Sequence, residues 1–400
     1  MAALKYWVWL SALPGLSQHS KLLLLHHFGS PEEVYYAEEA DYAQVEGIKR
    51  EQLQILKDKS LVRTEEILRI CAEKNIFLVT MEDALYPFRL KNIFDPPILL
   101  YGRGAMPLFD DEVAIAMVGT RKCTPYGIQC GEELGYELAK QGAVVVSGMA
   151  RGIDAACLRG ALRAGGFTCA VMGGGVDVVY PAENQRLYED ILATGVILSE
   201  YPPQTEPDGR HFPLRNRIMS GLSVATLVVE APEKSGAMIT AEDAMEQGRE
   251  VFAVPGPIYA QTSRGCHKLI REGAGLVSCA WDVLSEYVGR YPHKLRYLAD
   301  DKLPELPREA GEPKIVEAKK EPSGLPVLDP AAAGLTDDQL AILGVLCADV
   351  PMLTDDVAEA AALPVRRVLS ALTMLEIDGY ANKAGTQSFV RTVEIKQGEE

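Results

Sequence analysis

No apolar run in this 400-residue chain approaches the roughly 20 residues that a membrane-spanning helix needs. Positive charge is scarce too. The 40 Lys and Arg stand against 56 Asp and Glu, a formal net charge of −16. A protein that coats nucleic acid without selectivity needs the opposite balance, so a nucleic-acid partner would have to be held by a local basic patch. The eight cysteines (Cys71, Cys123, Cys130, Cys157, Cys169, Cys266, Cys279 and Cys347) form no C-x-x-C pair. That argues against zinc and dithiol redox motifs and fits a reduced cytoplasm. The six histidines lack metal-ligand spacing, so no metal is expected. There is no G-x-x-x-x-G-K-[ST] phosphate loop, and Gly173-Gly174-Gly175 does not open a helix as a dinucleotide fingerprint must. ATP hydrolysis is therefore poorly supported, and no cofactor is expected. Residues 1–13 carry Tyr6, Trp7 and Trp9 but lack the charged region and cleavage site of a signal peptide.

What the chain does have is glycine in a recurring place. Between residues 113 and 277, short β-rich apolar runs repeatedly end in a small, glycine-bearing turn, and a helical pattern follows. The turns are Gly119-Thr120-Arg121, Ser147 to Asp154, Gly173 to Asp177, Glu230 to Gly236, and Pro255-Gly256, with Ser199 to Pro203 a turn of the same kind built on prolines. Strands alternating with helices imply a parallel sheet with right-handed crossovers. In such a sheet, the turns at the carboxyl ends of the strands line one crevice where ligands bind. Exposed backbone N–H groups and helix N-termini in that crevice would suit an anion, phosphate above all.

Five parts follow along the chain. Residues 1–70 read as an all-helical domain of SAM or helix-hairpin-helix type, with Ser30-Pro31-Glu32-Glu33 as a helix start. Residues 71–110 read as a connector, with one strand-like stretch at 98–101. Residues 111–290 form the α/β domain, with helices expected at 126–140, 153–164, 183–193, 238–247, 266–271 and 281–288. Residues 291–334 lose all periodicity and read as a flexible linker. Residues 335–395 read as a winged helix: helices at 337–348, 354–361 and 364–378, then a hairpin through 380–393. Its third helix has only Arg366 and Arg367 among many acids, so a protein-contact or regulatory role fits as well as DNA reading.

Several residues carry candidate chemistry, each with a plain structural alternative. Arg121, after a strand, would contact phosphate or pair with Asp154. Asp154 would cap its helix or meet a ligand. Gly148 and Gly152 would allow sharp turns or close approach. The segment 210–217 holds Arg210, Arg215 and Arg217 with no acid, and Phe212 between them. An aromatic among arginines suits single-stranded nucleic acid, where bases stack and phosphates pair; alternatively Phe212 is core and the arginines a solvated face. Ser235-Gly236 would bind an anion or simply cap a helix. Glu230 sits where a catalytic carboxylate would, without an evident His or Cys partner.

Taken in order, Val118-Gly119-Thr120-Arg121, Ser147-Gly148-Met149-Ala150-Arg151-Gly152-Ile153-Asp154, Asp177-Val178-Val179-Tyr180-Pro181, Ser199-Glu200-Tyr201-Pro202, Phe212-Pro213-Leu214-Arg215-Asn216-Arg217-Ile218, Val229-Glu230-Ala231, Ser235-Gly236 and Val254-Pro255-Gly256 closely resemble the DNA-processing protein A (DprA/Smf) family. The resemblance implies an α/β chain: an extended Rossmann-like parallel sheet core between an N-terminal helical domain and a C-terminal winged helix. It also implies a cytoplasmic, non-catalytic protein, dimeric through the Rossmann-like domain. Such a protein binds and protects single-stranded DNA and loads the RecA recombinase during natural transformation. The expected DNA-binding set is Gly119, Thr120, Arg121, Ser147, Gly148, Arg151, Arg210, Phe212, Arg215, Asn216, Arg217, Ser235 and Gly236. Two departures stand out. Asp208-Gly209-Arg210 replaces a lysine that relatives often carry before the aromatic, and His267 stands where Asn is common. The competing readings are a nucleotide N-glycoside hydrolase of the lysine-decarboxylase-like Rossmann group, with Glu230 or Asp177 as its acid, and a RecA-dedicated adaptor.

Overall fold

Five strands from 114 to 228 are buried at every residue, which is why the sequence reads there as continuous apolar runs and not as alternation. In this computed structural model, residues 3–297, 327–328, 334–347, 352–383 and 388–395 are described. The chain divides into two units, Met1–Glu305 and Leu306–Glu400. Most of the linker expected at 291–334 lies outside the described residues.

The first unit is built on a nine-stranded sheet: β1 (Phe77–Thr80), β2 (Leu99–Gly104), β3 (Ala114–Val118), β4 (Val144–Ser147), β5 (Thr168–Met172), β6 (Val196–Ser199), β7 (Ala225–Val228), β8 (Glu250–Ala253) and β9 (Gly275–Leu276). The spatial order is β1-β2-β6-β5-β4-β3-β7-β8-β9. From β6 to β9 every neighbour is parallel. The chain lays β4, β5 and β6 outward on one side of β3, then crosses over to place β7, β8 and β9 on the other. The strand order therefore reverses between β3 and β7, the place where open α/β sheets bind ligands.

The segment read as a connector does more than connect. It supplies β1 and β2, which pair antiparallel with each other and with β6. The register puts Phe77 opposite Gly102, and a side chain at Gly102 would overlap the Phe77 ring. The ring thus covers a glycine that offers no strand pattern of its own.

Crossover helices fall close to expectation, at Pro125–Lys140, Ile153–Arg163, Gln185–Thr194, Gly236–Glu246 and Arg264–Arg271. One further helix lies where the sequence shows a basic segment around Phe212. It runs His211–Leu222 and includes Pro213 in its first turn, where the missing N–H costs nothing. At the amino end, six short helices between Leu4 and Glu73 contribute to one hydrophobic core with the sheet. Ser30 Oγ accepts the Glu33 N–H at 3.1 Å, as its sequence pattern implies. Trp7, Val8 and Leu10 share one buried core with Tyr101, Ile115 and Met117 of the sheet.

The second unit has helices Asp337–Val345, Thr354–Ala360 and Val365–Ile377, and a three-stranded antiparallel sheet of Met352–Leu353, Ser388–Arg391 and Ala381–Lys383. Ile342, Val357, Leu372, Leu375 and Phe389 form its core. Arg367, one of the two basic residues of the third helix, pairs with Asp338 at 2.5 Å.

Candidate nucleic-acid interface

The carboxyl ends of β3 and β7 open into a cleft of about 820 Å³. Its walls come from the turn after β3 (Gly119 to Lys122), the turn after β7 (Pro232 to Ala237), and the helix that carries Phe212, Arg215 and Asn216. The two turns beside β3 and β4 are locked together. A side chain at Gly119 would come within 2.5 Å of Ile153, and one at Gly152 within 2.5 Å of the Thr120 carbonyl. Gly152 has a φ of +77°, a left-handed turn that glycine adopts without strain.

Arg121 is exposed, and its guanidinium lies 5.0 Å from the centre of the Phe212 ring. Phe212 in turn stacks on Tyr180, with ring centres 5.6 Å apart and planes inclined by 28°. Gly173 makes room for this, because a side chain there would approach the Phe212 ring to 2.9 Å. His211, one residue earlier, is held by the Gly173 carbonyl at 3.0 Å and stacks on Tyr201 at 4.0 Å. Guanidinium, ring and ring thus form one flat, half-exposed ladder on the cleft wall. Lys122 and Lys234 also line the cleft and are exposed. Among the described residues, neither they nor Arg121 has a carboxylate partner.

A family model described as DNA recombination-mediator protein A matches residues 77–288 of the 400, more than half of the chain and the whole of the cleft. The chain belongs to the DNA recombination-mediator protein A family. A second model, the DprA winged helix domain, matches residues 326–384. The DNA processing protein DprA of Bacillus subtilis is 43% identical over 220 residues, covering 55% of this chain and 74% of that protein. Protein Smf of Escherichia coli is 35% identical over 309 residues, covering 77% of this chain and 75% of that protein. The X-ray structure of DNA processing protein A from Streptococcus pneumoniae aligns with a TM-score of 0.63 at 34% identity, covering 74% of this chain and 99% of that one.

In this member of the recombination-mediator family, the expected site residues do not all reach the cleft. Ser147 is fully buried and its hydroxyl donates to the Met117 carbonyl at 2.6 Å, so it ties β4 to β3 and has no path to a ligand. Arg217 is mostly buried and pairs with both oxygens of Glu200, at 2.8 and 3.0 Å. Arg151 pairs with Glu183 at 2.7 Å, and Arg210 with Asp208 at 2.7 Å. The charge of each is offset where it stands. Arg215 is buried; it donates to the carbonyls of Gly148 and Val171 and props the cleft floor from below. A side chain at Gly148 would overlap that guanidinium. Burial lowers the Arg215 pKa to about 10, opposed by the nearby Asp154 carboxylate. Burial also raises Asp154, opposed first by Arg215. Arg121 does not pair with Asp154; it faces Phe212 instead. Asn216 bridges to the Gly236 carbonyl at 3.2 Å, and Ser235 Oγ is buried at the cleft wall with no hydrogen-bond partner among the described residues.

The backbone contributes less anion-binding capacity than the glycine turns imply. The Thr120 N–H is taken by the Glu230 carbonyl, the Lys122 N–H by Thr120 Oγ1 and the Thr124 N–H by Glu230 Oε2. Positive charge in the cleft therefore rests on side chains. Lys122, Lys234 and Tyr180 were not among the residues expected from sequence to bind nucleic acid. Nothing local in the sequence marks the two lysines; their place on the cleft wall does. Glu230 and Asp177, the acids of the hydrolase reading, are both committed. Glu230 accepts from Thr124 N and Oγ1, each at 2.9 Å, and so holds the start of the Pro125–Lys140 helix. Asp177 accepts from Lys74 at 2.6 Å and from the Gln204 N–H at 2.8 Å.

Proposed function

We propose that this chain binds single-stranded DNA in the cleft between β3 and β7 and acts without catalysis as a mediator that loads RecA during natural transformation. The observation that carries the DNA reading is the ladder of Arg121, Phe212 and Tyr180 beside two lysines that have no acidic partner among the described residues. Flat rings accept an unpaired base of any sequence, and neighbouring cations take its phosphates. RecA loading, a cytoplasmic location and a dimer through the Rossmann-like domain are what family membership implies. The engagement of Glu230 and Asp177 in structural hydrogen bonds supports a non-catalytic role.

Fluorescence anisotropy of a labelled single-stranded oligonucleotide against a matched duplex, across a salt series, tests the reading. Salt-sensitive binding to the single strand alone is expected. Equal affinity for the duplex, or no binding at low salt, would sink it. A pull-down of RecA with and without DNA tests the second half.

A further inference from the structure

The turn after β8 carries the most exposed aromatic side chain among the described residues. Tyr259 is 89% exposed, and Ile258 beside it is 72% exposed. The turn that carries them is anchored at its stem. Tyr126 donates to the Pro255 carbonyl at 2.7 Å, and His267 Nε2 lies 2.9 Å from the Gly256 carbonyl. A side chain at Gly256 would overlap Ser263, so the stem packs directly on the next turn. The Ala260 N–H then closes onto the Pro257 carbonyl at 3.0 Å. The result is a short knuckle on a fixed base with an aromatic ring at its tip. Two residues further on, Gln261 and Thr262 line the cleft itself. The knuckle therefore stands on the cleft rim.

Resting on the DNA reading above, we infer that Tyr259 is a second stacking platform, placed at the opposite end of the same single-stranded path from Phe212. Phe212 and Tyr180 sit at the carboxyl end of β5, and Tyr259 follows β8. Between β5 and β8 lie four inter-strand steps, β5-β4-β3-β7-β8. At about 4.8 Å each, the span is roughly 19 Å. A strand stacked at about 3.4 Å per nucleotide would need roughly six nucleotides to cover it. The path runs over Arg121 and Lys234, so aromatic ends enclose a cationic middle. Tyr259 has no large apolar neighbourhood to fill, and stacking on a splayed base gives this ring an occupant that the fold does not.

The test compares dT3, too short to span both platforms, with dT15, which spans them. Tyr259→Ala should weaken dT15 about tenfold and leave dT3 within about twofold. Tyr259→Phe should bind both like the unaltered protein, because the ring and not the hydroxyl is used. Thermal melting of Tyr259→Ala should be unchanged, since the side chain is exposed. Unchanged dT15 affinity in Tyr259→Ala would overturn the inference while leaving the Phe212 site intact. An equal loss for both lengths, or a loss with Tyr259→Phe, would also overturn it. If the unaltered protein binds neither oligonucleotide, the DNA reading and this inference fall together.

Discussion

Arg121 and Phe212 touch, yet they should fail in different ways when removed. Three cations that form no salt bridge among the described residues line the cleft: Arg121, Lys122 and Lys234. If each meets one phosphate of a single strand, log K should fall with log salt at a slope of about −2.1, from about −0.7 per contact. Raising salt fourfold, from 50 to 200 mM, would then cost about eighteenfold in affinity. Arg121→Ala removes one contact, so the slope should relax to about −1.4 and the same salt step should cost about sevenfold. Phe212→Ala removes a stacked base, about 1–3 kcal/mol or roughly five- to 150-fold in affinity, but no charge, so its slope should stay near −2.1. The guanidinium lies 5.0 Å from the ring centre, so the pair should couple by ~0.5–1 kcal/mol in a double-mutant cycle. Anisotropy titrations at four or five salt concentrations read all of this. An Arg121→Ala slope equal to that of the unaltered protein would refute the assignment of Arg121 to phosphate. A Phe212→Ala slope that relaxes as much as Arg121→Ala would refute the division of labour between ring and charge.

Other variants probe the scaffold. Arg217→Met leaves Glu200 unpaired in a mostly buried place and should cost about 3 kcal/mol by denaturant unfolding, with the salt slope of DNA binding unchanged. Gly148→Ala forces a methyl onto the Arg215 guanidinium and should lower stability by about 1–3 kcal/mol. Glu230→Gln cannot accept both Thr124 donors and should lower the melting temperature by the equivalent of about 1–3 kcal/mol; measurable release of base from nucleoside monophosphates by the unaltered protein would revive the enzyme reading instead. Asp243 is half-buried, and burial raises its pKa from 3.8 to about 6. The folded state then binds more protons than the unfolded state between these values, so this group's contribution to stability falls as pH rises through that window. Asp243→Asn should therefore melt higher at pH 8 and lose that advantage near pH 4.

The sheet was legible from sequence because strands buried on both faces are mostly apolar along their length, and glycines follow directly where β3, β4 and β5 end. β1 was not. It is four residues long, too short for a periodic pattern, and it joins the sheet only through an antiparallel pairing with residues 99–102 some twenty positions further on. The candidate site was legible in its two central residues, Arg121 and Phe212, and misleading around them. The run 210–217 contains no acid, which made it read as a basic face. Folding brings the acids from elsewhere: Glu200 to Arg217 and, on a neighbouring turn, Glu183 to Arg151. Arg215 is solvated by backbone carbonyls 44 and 67 residues away, which no local pattern encodes. Pairing across such distances is a property of the fold, so counting charge along the chain overestimates what reaches solvent.

That same cancellation bears on selectivity. With a net charge of −16, the surface as a whole repels a polyanion, and most arginines near the cleft are already neutralised. What remains is a small set of cations beside a ladder of rings. A duplex offers phosphates to the cations but keeps its bases stacked inside, so it gains only the electrostatic part, against a repulsive background. A single strand gains that part and the stacking term as well, about 1–3 kcal/mol per base. On this reading, preference for single strands needs no steric gate. It follows from having too few free cations to hold a duplex by charge alone, and it should narrow when acids at the cleft margin are removed. Asp208→Asn, which frees Arg210 beside the ladder, should raise duplex affinity more than single-strand affinity in the same anisotropy assay. An equal gain for both would show that charge and stacking do not divide the selectivity in this way.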